Sequence, residues 1–108
     1  MKPDKLLSQL GMAMRAGKLV TGDETVLKAV RTGKAHLVVL AGDASDNTKK
    51  KFRDKCSTYG IPLTEASDRE QLGRAIGKPE RVVLAVTDMQ FGKMIANHLS
   101  PNTEVDPT

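Results

Sequence analysis

The chain has no tryptophan, and its only aromatic residues besides two histidines are Phe52, Tyr59 and Phe91. Stacking on exposed rings, the common platform for single-stranded nucleic acid, is therefore not its main device. Cys56 is the single cysteine, so no internal disulfide can form. With only His36 and His98 beside it, no zinc-ligand spacing exists. No apolar run reaches the ~18 residues of a membrane-spanning helix. The N-terminal stretch MKPDKLLSQLGMAM is broken by polar residues and does not read as a signal peptide, so a cytoplasmic location is expected. No Walker-type phosphate loop is present, and no GxGxxG follows a strand-like run.

What is present is globular in character: 108 residues, 39% apolar and 28% charged. That is enough chain for one domain with a real core, placed here at residues 1–99, with 100–108 expected to fray. The net charge of +4 is unevenly placed. Residues 1–55 hold 12 Lys or Arg against 6 Asp or Glu, and residues 56–108 hold 5 against 7. A basic half on a small domain is the electrostatic footprint of a polyanion partner, although a lysine-rich solvated surface has the same composition.

Hydrophobic spacing organises the chain into helices alternating with short strands. Leu6, Leu7, Leu10 and Met14 recur at helical spacing over residues 4–16, with Pro3 before and Gly17 after. Residues 18–20 read as extended. A second helix is expected over 22–32, opened by a capping box of Thr21 and Glu24 and stopped by Gly33. HLVVLA (36–41) and RVVLAV (81–86) are continuous apolar runs, typical of strands buried on both faces. Residues 46–59 form a third helix with Phe52, Cys56 and Tyr59 on one face, followed by a brief strand at 61–64. A fourth helix over 67–76 is expected to be capped by Ser67 with Glu70 three residues on, and a fifth to run from a cap at Asp88 to about Leu99. This alternation implies an α/β chain folded as a three-layer α/β/α sandwich around a small sheet.

Few residues suggest catalysis. His36, Asp43 and Ser45 have no spacing that sets a triad, and Asp43 and Ser45 have the character of turn and cap residues. Cys56 falls on an apolar helix face and reads as a buried structural thiol. The basic run KKKFRDK (49–55) places its bases on the outer face of the third helix, where solvation is the simplest account. Two rival functions remain open: a small doubly wound domain binding a phosphorylated ligand with Asp43 as its acid, and a protein–protein adaptor using the basic third helix.

The second helix, TGDETVLKAVRTGKA (21–35), carries the strongest signal. Val26, Leu27 and Val30 form its apolar side, while Glu24, Lys28 and Arg31 follow one another at i, i+4 and i+7 on the other. One acceptor thus stands a turn from one donor on the exposed side. Such a pair can read an edge presenting an N–H beside a carbonyl, as guanine does in a sheared G·A pair. An ordinary i,i+4 ion pair is the competing account.

At these residues the sequence resembles the ribosomal-protein family of kink-turn RNA-binding proteins, in its bacterial YlxQ type. The family motif is Gly-x-Asn-Glu, with Lys four residues after the Glu; here stand Gly22, Asp23, Glu24 and Lys28. The likeness continues through RTGKAHLVVLAGDAS and NTKKKFRDKC and resumes at LGRAIGKPERVVLAVTD, covering roughly residues 4–98. It implies a mixed four-stranded sheet, no catalysis and no cofactor. It implies structured RNA as the partner, with the second helix at tandem G·A pairs and the loop before the last strand at a flipped-out nucleotide. The RNA-binding residues implied are Gly22, Asp23, Glu24, Lys28, Arg31 and Lys34 on the helix side. In the loop IGKPER they are Gly77, Lys78, Glu80 and Arg81. Asp23 stands where the family has Asn, and the loop is more polar than the family's usual one. A monomer is expected.

Overall fold

A computed structural model describes residues 3–99, and the tail at 100–108 expected to fray lies outside them. The order is α1 (Pro3–Arg15), β1 (Leu19–Thr21), α2 (Asp23–Arg31), β2 (Leu37–Leu40), α3 (Asp46–Tyr59), β3 (Leu63–Glu65), α4 (Arg69–Ala75), β4 (Val83–Val86) and α5 (Met89–Leu99). The strands form one sheet in the order β1-β4-β2-β3. β4 lies antiparallel to both β1 and β2, while β2 and β3 run parallel, so the sheet is mixed.

The two central strands show why the layers form. β2 and β4 are buried along their whole length. Because successive side chains on a strand point to opposite faces, each strand supplies both cores. Leu37, Val39, Leu84 and Val86 join Leu6 and Leu10 of α1, Leu72 of α4 and Ile95 of α5 on one side. Val38, Leu40, Val83 and Ala85 join Val26 and Val30 of α2 and Phe52 and Cys56 of α3 on the other. The expected three-layer sandwich is thus present, with α1, α4 and α5 on one face and α2 and α3 on the other. Among the described residues, no helix is long and apolar enough to cross a membrane.

Two expected caps are corrected. Thr21 does not cap α2: it ends β1, and its hydroxyl donates to the Val83 carbonyl of β4 at 3.0 Å. Strand pairing holds Thr21, and Gly22 takes the N-cap position with no side-chain cap bond. Ser67 does not cap α4 either. The cap is Asp68, whose carboxylate accepts from the Gln71 N–H at 2.8 Å, because Ser67 is turned into a left-handed conformation with φ 60°. Asp88 does cap the last helix, accepting from the Phe91 N–H at 2.9 Å.

Candidate nucleic-acid interface

Sheet pairing sets the start of β4, which the loop 76–81 feeds, against the start of α2. Leu84 pairs with Thr21, and the Gly22 N–H points to the Val83 carbonyl at 3.4 Å. The loop 76–81 therefore enters β4 beside the start of α2, although the two lie more than fifty residues apart in sequence.

Gly22 makes this junction possible. Its φ of 102° with ψ 143° lies in a region that side chains with a Cβ avoid. An ideal Cβ there would meet nothing within 4 Å, so the demand is for backbone conformation, and the space above the glycine is open. Gly22 directly precedes Asp23, one residue nearer than the family's Gly-x-Asn-Glu spacing. With no side-chain cap, the first-turn N–H groups of α2 face outward at the positive end of its dipole.

Along α2, Glu24, Thr25, Lys28 and Arg31 are exposed, while Val26, Ala29 and Val30 are buried. Glu24, Thr25, Leu27, Lys28 and Arg31 line an open groove of about 650 Å³. The i,i+4 ion pair that competes with a binding role does not form: Glu24 and Lys28 are not within 4 Å of each other. Other pairs at the same spacing do close, Lys50 with Asp54 at 3.2 Å and Arg74 with Glu70 at 3.0 Å. Among the described residues, Lys28, Arg31 and Lys34 have no carboxylate within 4 Å.

Lys34 stands beyond the C-terminal end of α2 and faces a second groove of about 250 Å³, shared with Thr25, Lys28 and Thr87. Thr25 and Lys28 line both grooves. Sequence reasoning missed Thr25 and Thr87. Thr25 could have been found from its helical position beside Lys28, but Thr87 follows β4 and arrives only through the sheet.

The loop half of the site is shaped from beneath. Gly73, inside α4, has the carbonyl of Pro79 so close that a Cβ would collide with it, and Glu80 Cα would stand 2.8 Å from that Cβ. The Lys78 N–H donates to the Gly73 carbonyl at 2.9 Å, and the Arg81 N–H to that of Arg69 at 2.9 Å. Gly77, Lys78, Pro79 and Glu80 are exposed on this folded-back turn. Arg81 is half-buried, and its guanidinium donates to the Pro79 and Glu80 carbonyls at 3.3 and 2.9 Å, so it fastens the loop it belongs to.

Asp23 is exposed and has a partner within the chain. Its carboxylate meets Lys51 Nζ of α3 at 3.2 Å. The basic outer face of α3 is correspondingly more than a solvated one: Lys50 pairs with Asp54, and Lys49 and Arg53 both pair with Glu65 of β3. The hydrogen bond from Arg53, then the nearby positive charges, hold the Glu65 carboxyl below its usual range.

Asp43, Ser45 and Cys56 each have a structural role. Asp43 accepts from the Arg69 N–H at 3.0 Å and faces Arg69 Nε at 3.4 Å, tying the β2–α3 connection to α4. Ser45 caps α3, accepting from the Thr48 N–H at 3.2 Å. Cys56 is buried, and burial pushes its thiol up to about 11, far from thiolate reactivity. Among the described residues, no group of three or more His, Cys, Asp or Glu could hold a metal.

The chain is similar to the RNA-binding protein YlxQ of Bacillus subtilis, at 48% identity over 83% of this chain and 90% of that one. A solved structure of a protein of unknown function from Bacillus halodurans superposes with a TM-score of 0.84 and 52% identity, covering 86% of this chain and 94% of that one. A 15.5 kD RNA-binding protein from Giardia lamblia superposes with a TM-score of 0.77 at 25% identity, covering 89% and 82%. The model of the ribosomal protein L7Ae/L30e/S12e/Gadd45 family matches residues 4–96, nearly the whole described fold, and the chain belongs to that family.

Proposed function

We propose that this protein binds structured RNA, that its target is a kink-turn with tandem G·A pairs, and that it acts by recognition and not by catalysis. The observation that carries this reading is the exposed pair on α2. Glu24 and Lys28 stand one turn apart on one groove and are not joined to each other. Both remain available for a partner that satisfies an acceptor and a donor together. In a sheared G·A pair the guanine N1–H and O6 form such an edge: Glu24 accepts from N1–H and Lys28 donates to O6. Arg31 and Lys34 continue the positive surface along the helix toward phosphates, which position an RNA without reading its bases. The open backbone at Gly22 allows close approach. The loop 76–81, arriving beside Gly22, supplies Lys78 at a second contact. Relatives described as RNA-binding proteins support the partner class.

Neither rival is favoured by an observation of this kind. Asp43 is engaged by Arg69, which removes the free acid a phosphoryl site at the strand ends would use. Four of the five bases of α3 already face acids of the same chain, and among the described residues only Lys55 does not.

The test is capture of cellular RNA on the purified protein, followed by sequencing and titration of the recovered elements. Enrichment of RNAs with tandem G·A kink-turns is expected, with binding lost when the G·A pairs become Watson–Crick pairs. Recovery of only generic unstructured RNA would count against the proposal.

A further inference from the structure

Asp23 and Glu24 stand side by side in the first turn of α2, where the RNA is proposed to arrive. A polyanion approaching that turn meets two carboxylates, and only one of them has a cation at hand. Lys51 Nζ lies 3.2 Å from Asp23 Oδ2, while among the described residues Glu24 has no basic group within 4 Å. Lys51 differs from its neighbours on α3. Lys50 answers an acid of its own helix, and Lys49 and Arg53 answer Glu65 on β3, whereas Lys51 reaches across to α2. The same ammonium sits 5.5 Å from the ring centroid of Phe52, whose side chain is packed with Val26 and Val30 beneath the α2–α3 seam.

We infer that Lys51 is a positioning residue of the RNA site: paired with Asp23, it cancels that carboxylate, so that Glu24 is the single bare negative charge the RNA meets. The inference rests on the RNA reading of α2. Its logic is electrostatic. The readout uses one acceptor for one guanine N–H. A second bare carboxylate in the same turn adds only repulsion from phosphates, which close pairing with an ammonium removes. Both partners are half exposed, at 42% and 47% of their side-chain surface, so the pair contributes little to folding stability. Its consequence lies in the charge the surface presents.

A double-mutant cycle on a tandem G·A kink-turn RNA tests this, with titrations at several salt concentrations and thermal melting in parallel. Lys51→Ala should weaken binding by about three- to tenfold, the scale of one partly screened charge interaction. The slope of log affinity against log salt should stay within about half a unit of the native one, because Lys51 does not itself meet a phosphate. Adding Asp23→Asn to Lys51→Ala should restore affinity to within about twofold of native, since the exposed charge is then gone. Lys51→Ala without effect on binding would overturn the inference. So would a double variant as weak as Lys51→Ala, which would indicate lost structure, or a slope shallower by about one unit, which would make Lys51 a direct phosphate contact. If the native protein binds the kink-turn and the cycle fails, only the role of Lys51 falls. If the native protein does not bind it, the kink-turn reading falls first and takes this inference with it.

Discussion

The helices α2 and α3 lie side by side on the same face of the sheet, and both are rich in bases, yet their charges are arranged in opposite ways. On α3, Lys49, Lys50, Lys51 and Arg53 all face carboxylates, and Ser45 closes the N-terminus with a side-chain cap. On α2, Lys28 and Arg31 face none among the described residues, and the N-terminus is a glycine without a side-chain cap. α3 holds more bases than α2, yet among the described residues only Lys55 of its five has no carboxylate within 4 Å. For a polyanion partner the useful quantity is unpaired charge on an open face, and a count of lysines does not supply it.

If binding uses only the few unpaired bases of α2 and the 76–81 loop, log affinity against log salt should have a slope of about −2 to −4. That corresponds to a roughly 15- to 250-fold loss between 50 and 200 mM salt. A slope near −8 in the same titration would recruit α3 and erase the distinction between the helices. Next in size is a pair of substitutions. Lys28→Ala should cost about 1–3 kcal/mol of kink-turn affinity, as for a lost base-edge contact, while Lys50→Ala should cost much less. Equal losses in side-by-side titrations would refute readout by α2.

The two N-termini give a second contrast. Gly22→Ala forces a Cβ into a conformation suited to glycine, and melting should report a loss of about 1–3 kcal/mol, with RNA binding weakened as well. Ser45→Ala removes the α3 cap and should cost about 1 kcal/mol in stability while leaving RNA affinity unchanged. A binding defect in Ser45→Ala would bring α3 back into the interface. The smallest effect concerns Glu65, which serves the closed face of α3. Its carboxyl titrates below its unfolded value, so the pair stabilises above a pH of about 4.3 and that contribution is lost as pH falls through the lower native value. Because the pair is exposed, Glu65→Gln should cost less than about 1 kcal/mol at neutral pH, and the difference should shrink steadily as melts are taken to more acidic pH. Persistence of the difference in acid would mean that packing of Glu65 matters more than its charge.

Much of the fold was legible in the sequence because its signals are local. The apolar runs at 36–41 and 81–86 contain β2 and β4, and the helical spacing of Phe52, Cys56 and Tyr59 placed α3, because burial follows the geometric period of each element; Tyr59, at the end of the helix, is nonetheless exposed. The exposed row Glu24, Lys28 and Arg31 was legible for the same reason. Where a local motif had a tertiary competitor, the motif lost. Thr21 had the spacing of a capping box, but β4 claimed its hydroxyl. Ser67 had the spacing of a cap with Glu70, but it takes a left-handed turn and Asp68, one residue on, caps the helix instead.

The alternation of helices and strands, the buried strands and the amphipathic character of α2 follow from local sequence, because each depends on residues a few positions apart. Which charges stay free depends on how remote segments pack together. Lys51 and Asp23 are 28 residues apart, and nothing in either segment announces their meeting until α2 and α3 pack on the same face. Gly73 reads as a weak point within α4 until the backbone of Pro79 and Glu80 is laid over it. Ion pairs and close backbone contacts depend on distances of a few ångströms between remote segments, and those distances are set by the packed core.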